Sequence, residues 1–271
     1  MIDLDSYLKR IGYGGPRVPT LETLRAVQLH HPLAIPFENL DSLSQTPVRL
    51  DLQSLERKLV QSRRGGYCFE QNLLFKHALE ALGFGAGALA ARVVWERPPE
   101  DLRARTHMVL LVELGGTPYI CDVGFGALTA TAPIALTPGV EQATPHERFR
   151  VLSLATEFAV EALVRGEWKR LYRFDLQEQH QVDIELLNHY VMSHADSPMR
   201  GRLVASRVAA DRRFGLGNGV LKIHPLAAAA SEQRRLGTVA ELKHELGTTF
   251  GVDVPSGAAI HAALERVLAA Q

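Results

Sequence analysis

The sequence Arg64-Gly65-Gly66-Tyr67-Cys68-Phe69-Glu70-Gln71-Asn72 runs from a glycine turn directly into an apolar helical pattern. It therefore predicts that Cys68 occupies the cap or the first turn of a helix. The N-terminus of a helix presents unpaired backbone N–H groups and a partial positive charge, and both favour a thiolate over a thiol. Because a thiolate attacks carbonyl carbon atoms, Cys68 is a candidate nucleophile.

The residues around this turn predict helices from residue 1 to about residue 83. After Asp51, a residue type that caps helix N-termini, the apolar residues between Leu52 and Val60 fall on one helical face. The segment from Phe69 to Leu82 repeats this period, and Gly83 predicts the end of its helix.

From about residue 86 to residue 187 short apolar or alternating runs are separated by turn residues, which predicts an antiparallel sheet or barrel. The predicted strands are Val93 to Trp95, His107 to Leu114, Pro118 to Val123, Phe149 to Leu152, Phe158 to Leu163 and Trp168 to Tyr172. After residue 188 the pattern mixes strands with helices, namely strands at Leu203 to Val208 and Gly219 to Ile223 and helices at Val239 to Leu246 and Ala258 to Ala269. Exposed loops are predicted at Pro98-Pro99 and from Ala132 to Pro145.

The composition predicts a globular protein. The 271 residues are 46% hydrophobic, and 30 basic side chains balance 30 acidic ones, so nucleic acid and anionic membranes are not expected partners. Apolar runs such as Met108 to Val112 are far too short to span a membrane, and the N-terminus lacks the features of a secretory signal. We therefore expect a cytoplasmic protein that is a monomer or a homodimer.

The chain contains two cysteines, Cys68 and Cys121. Two are too few for a disulfide scaffold, and neither lies in a CxxC or Cys/His spacing, so no metal site is expected. Cys121 lies in the strand-like segment Tyr119 to Val123, which favours a small buried hydrophobe.

A predicted hairpin places a histidine near an aspartate. If Gly115-Gly116 forms a two-residue turn, Leu114 faces Thr117, and continuing this register sets Val109 opposite Asp122. His107 shares the sheet face of Val109, so it becomes a diagonal neighbour of Asp122 within hydrogen-bonding reach. A change of one residue in the turn would put the two side chains on opposite faces.

An imidazole held by a carboxylate can take the proton of a thiol and stabilise the thiolate that forms. Cys68, His107 and Asp122 are therefore a candidate triad of nucleophile, base and orienting group. The alternative stays open at this point, because a lone strand histidine is often a core residue and an aspartate before glycines often caps a turn.

The segment Asp122-Val123-Gly124-Phe125-Gly126 resembles a phosphate-binding loop only superficially, since it lacks the lysine and the glycine spacing of such loops. Two interpretations remain. Either its glycines let the backbone approach a ligand closely while Phe125 supplies an aromatic wall, or the segment is an ordinary glycine turn.

Four segments in this order resemble a known family. They are Pro36-Phe37-Glu38-Asn39-Leu40-Asp41, Arg63-Arg64-Gly65-Gly66-Tyr67-Cys68-Phe69-Glu70-Gln71-Asn72, Thr106-His107-Met108 and Cys121-Asp122-Val123-Gly124-Phe125-Gly126. The chain is similar to the arylamine N-acetyltransferases of the bacterial type, from Tyr7 through most of its length, and the similarity weakens after about residue 200.

The resemblance implies an α+β fold with three parts. These are a helical bundle at residues 1–85, a central antiparallel β-barrel-like domain at residues 86–189 and an α/β lid at residues 190–271. Its Cys-His-Asp core, like that of a cysteine protease, is expected between the first two parts.

The resemblance also implies a ping-pong reaction with acetyl-CoA as co-substrate. Cys68 takes the acetyl group as a thioester, CoA leaves, and an arylamine, arylhydrazine or N-hydroxyarylamine then accepts the group. By position, His107 activates Cys68 and later accepts the amine's proton, and Asp122 orients His107. The backbone N–H of Cys68 is expected to donate to the oxyanion, and Glu38 and Arg64 are expected to brace the site.

Binding residues follow from the same resemblance. Positions around the acceptor pocket are Phe37, Phe125 and Met199, and positions near CoA are Arg103, Arg105, Thr106, Gly126, Tyr190 and Ser197. Many relatives carry phenylalanine where this chain has Met199, and the narrower, more adaptable methionine predicts an altered acceptor preference.

Two other functions remain open from the sequence. A thiol hydrolase or amide synthase would use the same triad but discharge the thioester to water or to another amine. A binding module would keep the fold without catalysis.

Overall fold

A computed structural model of the protein describes residues 1–98, 101–226 and 230–270. Pro99, in the predicted Pro98-Pro99 loop, lies outside the described residues. Among the described residues, no helix is long and apolar enough to cross a membrane.

The N-terminal region is mainly helical, as the sequence predicts. Its helices are α1 (Leu4–Ile11), α2 (Leu21–Ala34), α3 (Leu40–Leu43), α4 (Leu52–Leu55), a π-helical continuation (Glu56–Gln61) and α5 (Cys68–Ala81). The predicted cap is confirmed, because the Asp51 carboxylate accepts the Ser54 N–H at 3.0 Å. The predicted end of α5 is confirmed as well, since Gly83 follows the C-cap with φ of +89°.

The prediction of helix throughout residues 1–83 is wrong at one point. Phe37 and Glu38 form strand β1 (Phe37–Glu38), which pairs with Ser206 and Ala205 far along the chain. Local periodicity does not reveal such a pairing, because the partner strand lies in another part of the sequence.

An eight-stranded antiparallel sheet forms the centre of the molecule. Its strands are β2 (Gly85–Val93), β3 (His107–Leu114), β4 (Thr117–Cys121), β5 (Ile134–Ala135), β6 (Gln142–Ala143), β7 (Arg148–Ser153), β8 (Phe158–Val164) and β9 (Glu167–Glu178). The order across the sheet is β5-β4-β3-β2-β9-β8-β7-β6. A bridge between Pro138 and Val151 brings its two ends together, so the sheet nearly closes into a barrel. The prediction of a central antiparallel barrel-like sheet is confirmed.

The hairpin register is confirmed. Leu114 pairs with Thr117, and the pairing continues without a shift to Leu110 and Cys121. The side chains that point into the barrel form one apolar cluster, which includes Leu89, Val109, Ile120, Phe149 and Tyr172. Because Val109 is anchored in this cluster, the burial pattern holds the register of β3.

Other strand predictions need correction. Val94 and Trp95 lie beyond the end of β2. The segment from Ala132 to Pro145 is not a continuous exposed loop, since it contains β5 and β6 and begins with buried residues. These two-residue strands are too short to produce a period in the sequence.

The C-terminal region packs helices on a five-stranded antiparallel sheet of order β1-β10-β11-β12-β13. Its elements are α6 (Gln181–Ser193), α7 (Pro198–Gly201), β10 (Val204–Ala209), β11 (Arg212–Gly217), β12 (Val220–Pro225), β13 (Glu232–Arg235), α8 (Val239–Thr248) and α9 (Ala258–Ala269). The division of the chain at residues 189 and 190 stays a prediction, although that boundary falls inside α6.

Candidate active site

Cys68 is the first residue of α5 and is held there by the glycine turn. A Cβ on Gly65 would lie 2.1 Å from the Pro36 carbonyl oxygen, so only glycine lets the turn lie against this backbone. The Glu70 carboxylate accepts the Tyr67 N–H at 3.1 Å, which satisfies one donor at the start of the helix. The Cys68 N–H belongs to the first turn, where the helix itself supplies no acceptor.

The structure brings Cys68, His107 and Asp122 together. Cys68 is buried with 6% of its surface exposed, and its Sγ lies 3.7 Å from the Thr106 carbonyl oxygen, next to the start of β3. His107 Nε2 lies 2.7 Å from Asp122 Oδ2, as the hairpin register predicts. Both side chains are almost completely buried.

The environment of His107 favours the imidazolium. Burial by itself would lower the pKa of this imidazole, but the Asp122 charge and the hydrogen bonds to Asp122 and Cys68 outweigh it and raise the pKa to about 10. Because Nε2 is bound to Asp122, Nδ1 is the ring nitrogen left for the Cys68 sulfur. A protonated ring donates from both nitrogens, so it can donate to the Asp122 carboxylate on one side and to the Cys68 sulfur on the other.

Asp122 is fully supplied with donors. Besides His107, its Oδ1 accepts the Gly124 N–H at 2.9 Å and the Asn72 amide at 3.1 Å. Burial raises the pKa of the Tyr172 hydroxyl, which also hydrogen bonds to Asp122. A buried carboxylate needs such donors to stay charged.

The glycine segment after Asp122 packs against α5. A Cβ on Gly124 would lie 2.8 Å from the Cys68 Cα and 2.9 Å from Asn72 Nδ2. The close approach at Gly124 is therefore to α5, the helix that begins with Cys68. The two interpretations of this segment, a loop that approaches a ligand or an ordinary glycine turn, stay predictions. Gly126 has a φ of +94° and lies near Phe37 and Ser206.

A buried network of charges lies beneath the cysteine turn. Arg64 pairs with Glu38 at 2.6 Å and with Asp41 at 2.9 Å, and Lys58 pairs with Asp41 and Glu70, each at 2.6 Å. Burial raises the pKa of Glu70 to about 7, although Lys58 counteracts it. The network holds α3, the π-helical turn and the start of α5 together, which suits the bracing role expected for Glu38 and Arg64.

Aromatic rings surround the imidazole. The ring of Phe125 lies edge-on to His107 with centroids 5.3 Å apart, and the ring of Tyr172 lies 5.0 Å from it. Phe37 is buried in β1 beside Gly126, and Met199 lies half-buried on α7, packed against the N-terminal core. The three predicted acceptor residues thus come from separate parts of the chain, and their role in binding an acceptor stays a prediction.

The residues predicted to contact CoA are mostly engaged within the protein. Arg103 pairs with Asp101 at 3.0 Å, and Arg105 pairs with Asp175 at 2.5 Å. Ser197 is buried and donates to the Val191 carbonyl oxygen.

Arg105 and the exposed Tyr190 do face one groove. This groove has a volume of about 380 Å³, and its other lining residues are Ala104, Leu186, Leu187, His189, Ser193 and His194. A second groove of about 430 Å³ was not predicted from the sequence and is lined by Arg165, Lys222, His224, Ala230, Ser231 and Gln233.

Cys121 is completely buried, as predicted, and burial raises the pKa of its thiol. It is therefore unsuited to act as a nucleophile. Within the described parts of the chain, no group of three or more His, Cys, Asp or Glu side chains is arranged to hold a metal ion.

The sequence did not point to Asn72, Tyr172 or Lys58 as parts of the site. For Asn72 a signal was present, because it lies four residues after Cys68 and so on the same helical face. Tyr172 and Lys58 gave no signal, since their partners lie in distant segments.

Comparison with known proteins identifies the family of the chain. A family model described as N-acetyltransferase matches residues 20–259, which defines the class of enzyme as an acetyltransferase. The arylamine N-acetyltransferase of Mycolicibacterium smegmatis is 40% identical over 257 residues, which cover 93% of both chains. The arylamine N-acetyltransferase / N-hydroxyarylamine O-acetyltransferase of Salmonella typhimurium is 40% identical over 204 residues, covering 75% of this chain and 72% of that protein.

The fold is shared as well. The arylamine N-acetyltransferase of Mycobacterium marinum in complex with CoA superimposes with a TM-score of 0.93 at 40% identity, covering 98% of this chain and 99% of that one. The chain belongs to the arylamine N-acetyltransferase family.

Proposed function

We propose that this protein transfers an acetyl group from acetyl-CoA to arylamines, arylhydrazines or N-hydroxyarylamines through a thioester on Cys68. The observation that carries the proposal is a buried thiol at a helix N-terminus beside an imidazole whose Nε2 lies 2.7 Å from a buried carboxylate. The CoA complex of the M. marinum relative supports the donor, and the name of the Salmonella relative supports N-hydroxyarylamines as acceptors.

In the first half-reaction the proton of Cys68 resides on His107, and the thiolate attacks the carbonyl carbon of acetyl-CoA to form a new C–S bond. The Cys68 N–H donates to the oxyanion, because it points out of the first turn of α5. When the intermediate collapses, the bond to the CoA sulfur breaks and His107 gives its proton to that sulfur. Cys68 is left acetylated.

In the second half-reaction the amine nitrogen attacks the thioester carbonyl. Neutral His107 accepts the amine's proton, the bond to Cys68 breaks, and the N-acetylated product leaves. The thiolate and the imidazolium are thereby restored. Asp122 keeps its hydrogen bond to His107 Nε2 and stabilises the charge on His107.

The direct test is intact-protein mass spectrometry after incubation with acetyl-CoA. Wild type is expected to gain one acetyl group and to lose it on addition of an arylamine. The two cysteines supply a matched pair of variants: Cys121→Ala is expected to acetylate like wild type, and Cys68→Ala is expected not to. Acetylation that persists in Cys68→Ala contradicts the proposal.

The fate of the acetyl group separates the remaining alternatives. Release of acetate without acetylated amine in the presence of an arylamine indicates a thioester hydrolase. Transfer to amines that are not aromatic indicates an amide synthase. A protein that binds acetyl-CoA but forms no adduct is a binding module.

Two grooves are candidates for binding the phosphates of CoA. One is lined by the predicted residues Arg105 and Tyr190, and there Arg105 must exchange Asp175 for a phosphate. The second groove contains Arg165, Lys222 and His224. Burial, followed by the charges of Arg165 and Lys222, lowers the pKa of His224, so the second groove has a positive field that suits an anion. Comparing the acetyl-CoA KM of Arg105→Gln with that of Lys222→Gln identifies the groove used.

A further inference from the structure

Asn72 is a completely buried amide that lies four residues after Cys68 on α5. Its Nδ2 donates to the Met108 carbonyl oxygen at 2.8 Å and to Asp122 Oδ1 at 3.1 Å, and its Oδ1 accepts the Val123 N–H at 3.0 Å. Both amide hydrogens and the amide oxygen are therefore used.

These three bonds link the three segments that carry the candidate triad. Asn72 itself lies on the helix that begins with Cys68. Met108 directly follows His107 on β3, and Val123 directly follows Asp122 after β4. One side chain thus fixes the distance from the nucleophile's helix to the base and to the carboxylate.

We propose that Asn72 is a positioning residue that holds Asp122, and through it His107, in the geometry that acylates Cys68. The proposal rests on the proposed function, since it assigns Asn72 a role in that same reaction. Without the Asn72 amide, Oδ1 of Asp122 keeps the Gly124 N–H and loses a donor. The carboxylate is then free to turn, and the contact that favours the imidazolium of His107 weakens.

Asn72 is suited to this role because an amide both donates and accepts in one rigid plane. Aspartate has nearly the same shape but, when ionised, presents acceptors only, and it would face the Met108 carbonyl and the Asp122 carboxylate. Leucine fills similar space and offers no polar atom.

The neighbouring amide Gln71 is a matched control. It is also completely buried on α5, and it also makes three hydrogen bonds, to Pro36, Gly66 and His31. Replacing it removes as many buried bonds from the same helix without removing a bond to Asp122. A general loss of stability should therefore appear in Gln71→Leu and Asn72→Leu alike.

The experiment measures the acylation rate of the whole 271-residue chain as a function of pH, with acetyl-CoA as the acyl donor, because its leaving sulfur takes the proton of His107. The upper limb of this profile reports the loss of the imidazolium proton. Asn72→Leu is expected to move this limb down by about one pH unit or more and to reduce the rate about tenfold to hundredfold, since small displacements of reacting groups have effects of this size. Gln71→Leu is expected to leave the limb where wild type has it.

An upper limb in Asn72→Leu that coincides with wild type, or one that Gln71→Leu moves equally, overturns the proposal. If Asn72→Leu does not fold, the neutral truncation Asn72→Ala takes its place: a downward shift supports the proposal and a wild-type profile overturns it. In parallel, mass spectrometry measures whether the wild-type protein forms acetyl-Cys68 with acetyl-CoA. If wild type forms none, the proposed function fails; if it does and the Asn72 variants match it, only the role of Asn72 fails.

Discussion

Gly124 allows the segment after Asp122 to lie directly on the helix that begins with Cys68. In Gly124→Ala the new Cβ would lie 2.8 Å from the Cys68 Cα, 3.2 Å from the Cys68 carbonyl oxygen and 2.9 Å from Asn72 Nδ2. The first contact falls about 0.6 Å short of the 3.4 Å at which ordinary van der Waals contact begins. Two of the three contacts are with backbone atoms, which have no rotamer to change.

The clash must therefore separate the Asp122 segment from α5. Overpacking of a buried site costs about 1–3 kcal/mol of unfolding free energy. The displacement also moves Asp122 away from the helix that carries the nucleophile, and a shift approaching 1 Å lowers a rate by up to about a hundredfold. We expect Gly124→Ala to stay folded but to acylate Cys68 about tenfold to hundredfold more slowly.

The assay is single-turnover acetylation of Cys68 by acetyl-CoA, followed by mass spectrometry, with urea unfolding measured in parallel. Gly247→Ala is the matched control, because a Cβ there meets open space within α8. Alanine is the better helix former, so the control is expected to gain up to about 1 kcal/mol and to keep its rate. A Gly124→Ala protein that acetylates at the wild-type rate refutes this reasoning.

Three further predictions concern the charge network, the acceptor pocket and the CoA groove. Because the folded-state pKa of Glu70 is raised from 4.5 to about 7, its contribution to stability is present below pH 4.5 and is lost as the pH rises through 7. In urea unfolding, Glu70→Gln should therefore gain stability relative to wild type as the pH rises from 4.5 to 7. A difference in unfolding free energy that stays constant over this range would contradict the prediction. Met199→Phe should change the ratio of kcat/KM among arylamines while leaving Cys68 acetylation unchanged, and an unaltered acceptor profile would dismiss the role of Met199. If the Arg105 groove holds the phosphates of CoA, Arg105→Gln should raise the KM for acetyl-CoA and leave the acylation rate with p-nitrophenyl acetate unchanged. Equal effects on both donors would argue against phosphate binding in this groove.

Local patterns predicted the elements that are long and regular. The helix of Cys68, its end at Gly83 and the hairpin from His107 to Cys121 follow from apolar period, turn chemistry and the parity of side chains on a strand. The contact of His107 with Asp122 could also be predicted, because two glycines set the register of that hairpin.

Short strands and the partners of residues far apart in the chain could not be predicted from local sequence patterns. Strand β1 has two residues and exists because β10 lies beside it. The predicted CoA arginines proved to be paired with Asp101 and Asp175. A sequence shows that a charged residue is present, but only the folded chain shows which partner neutralises it.

The sequence by itself determined the position of Cys68 after a glycine turn and that of His107 one hairpin from Asp122, because both are local arrangements. The tertiary structure alone decided how these parts meet. Gly124 lies against α5, Asn72 joins the helix to both strands, and the charge network closes beneath Cys68. Packing and buried hydrogen bonds act between segments far apart in the chain, so no local pattern contains them.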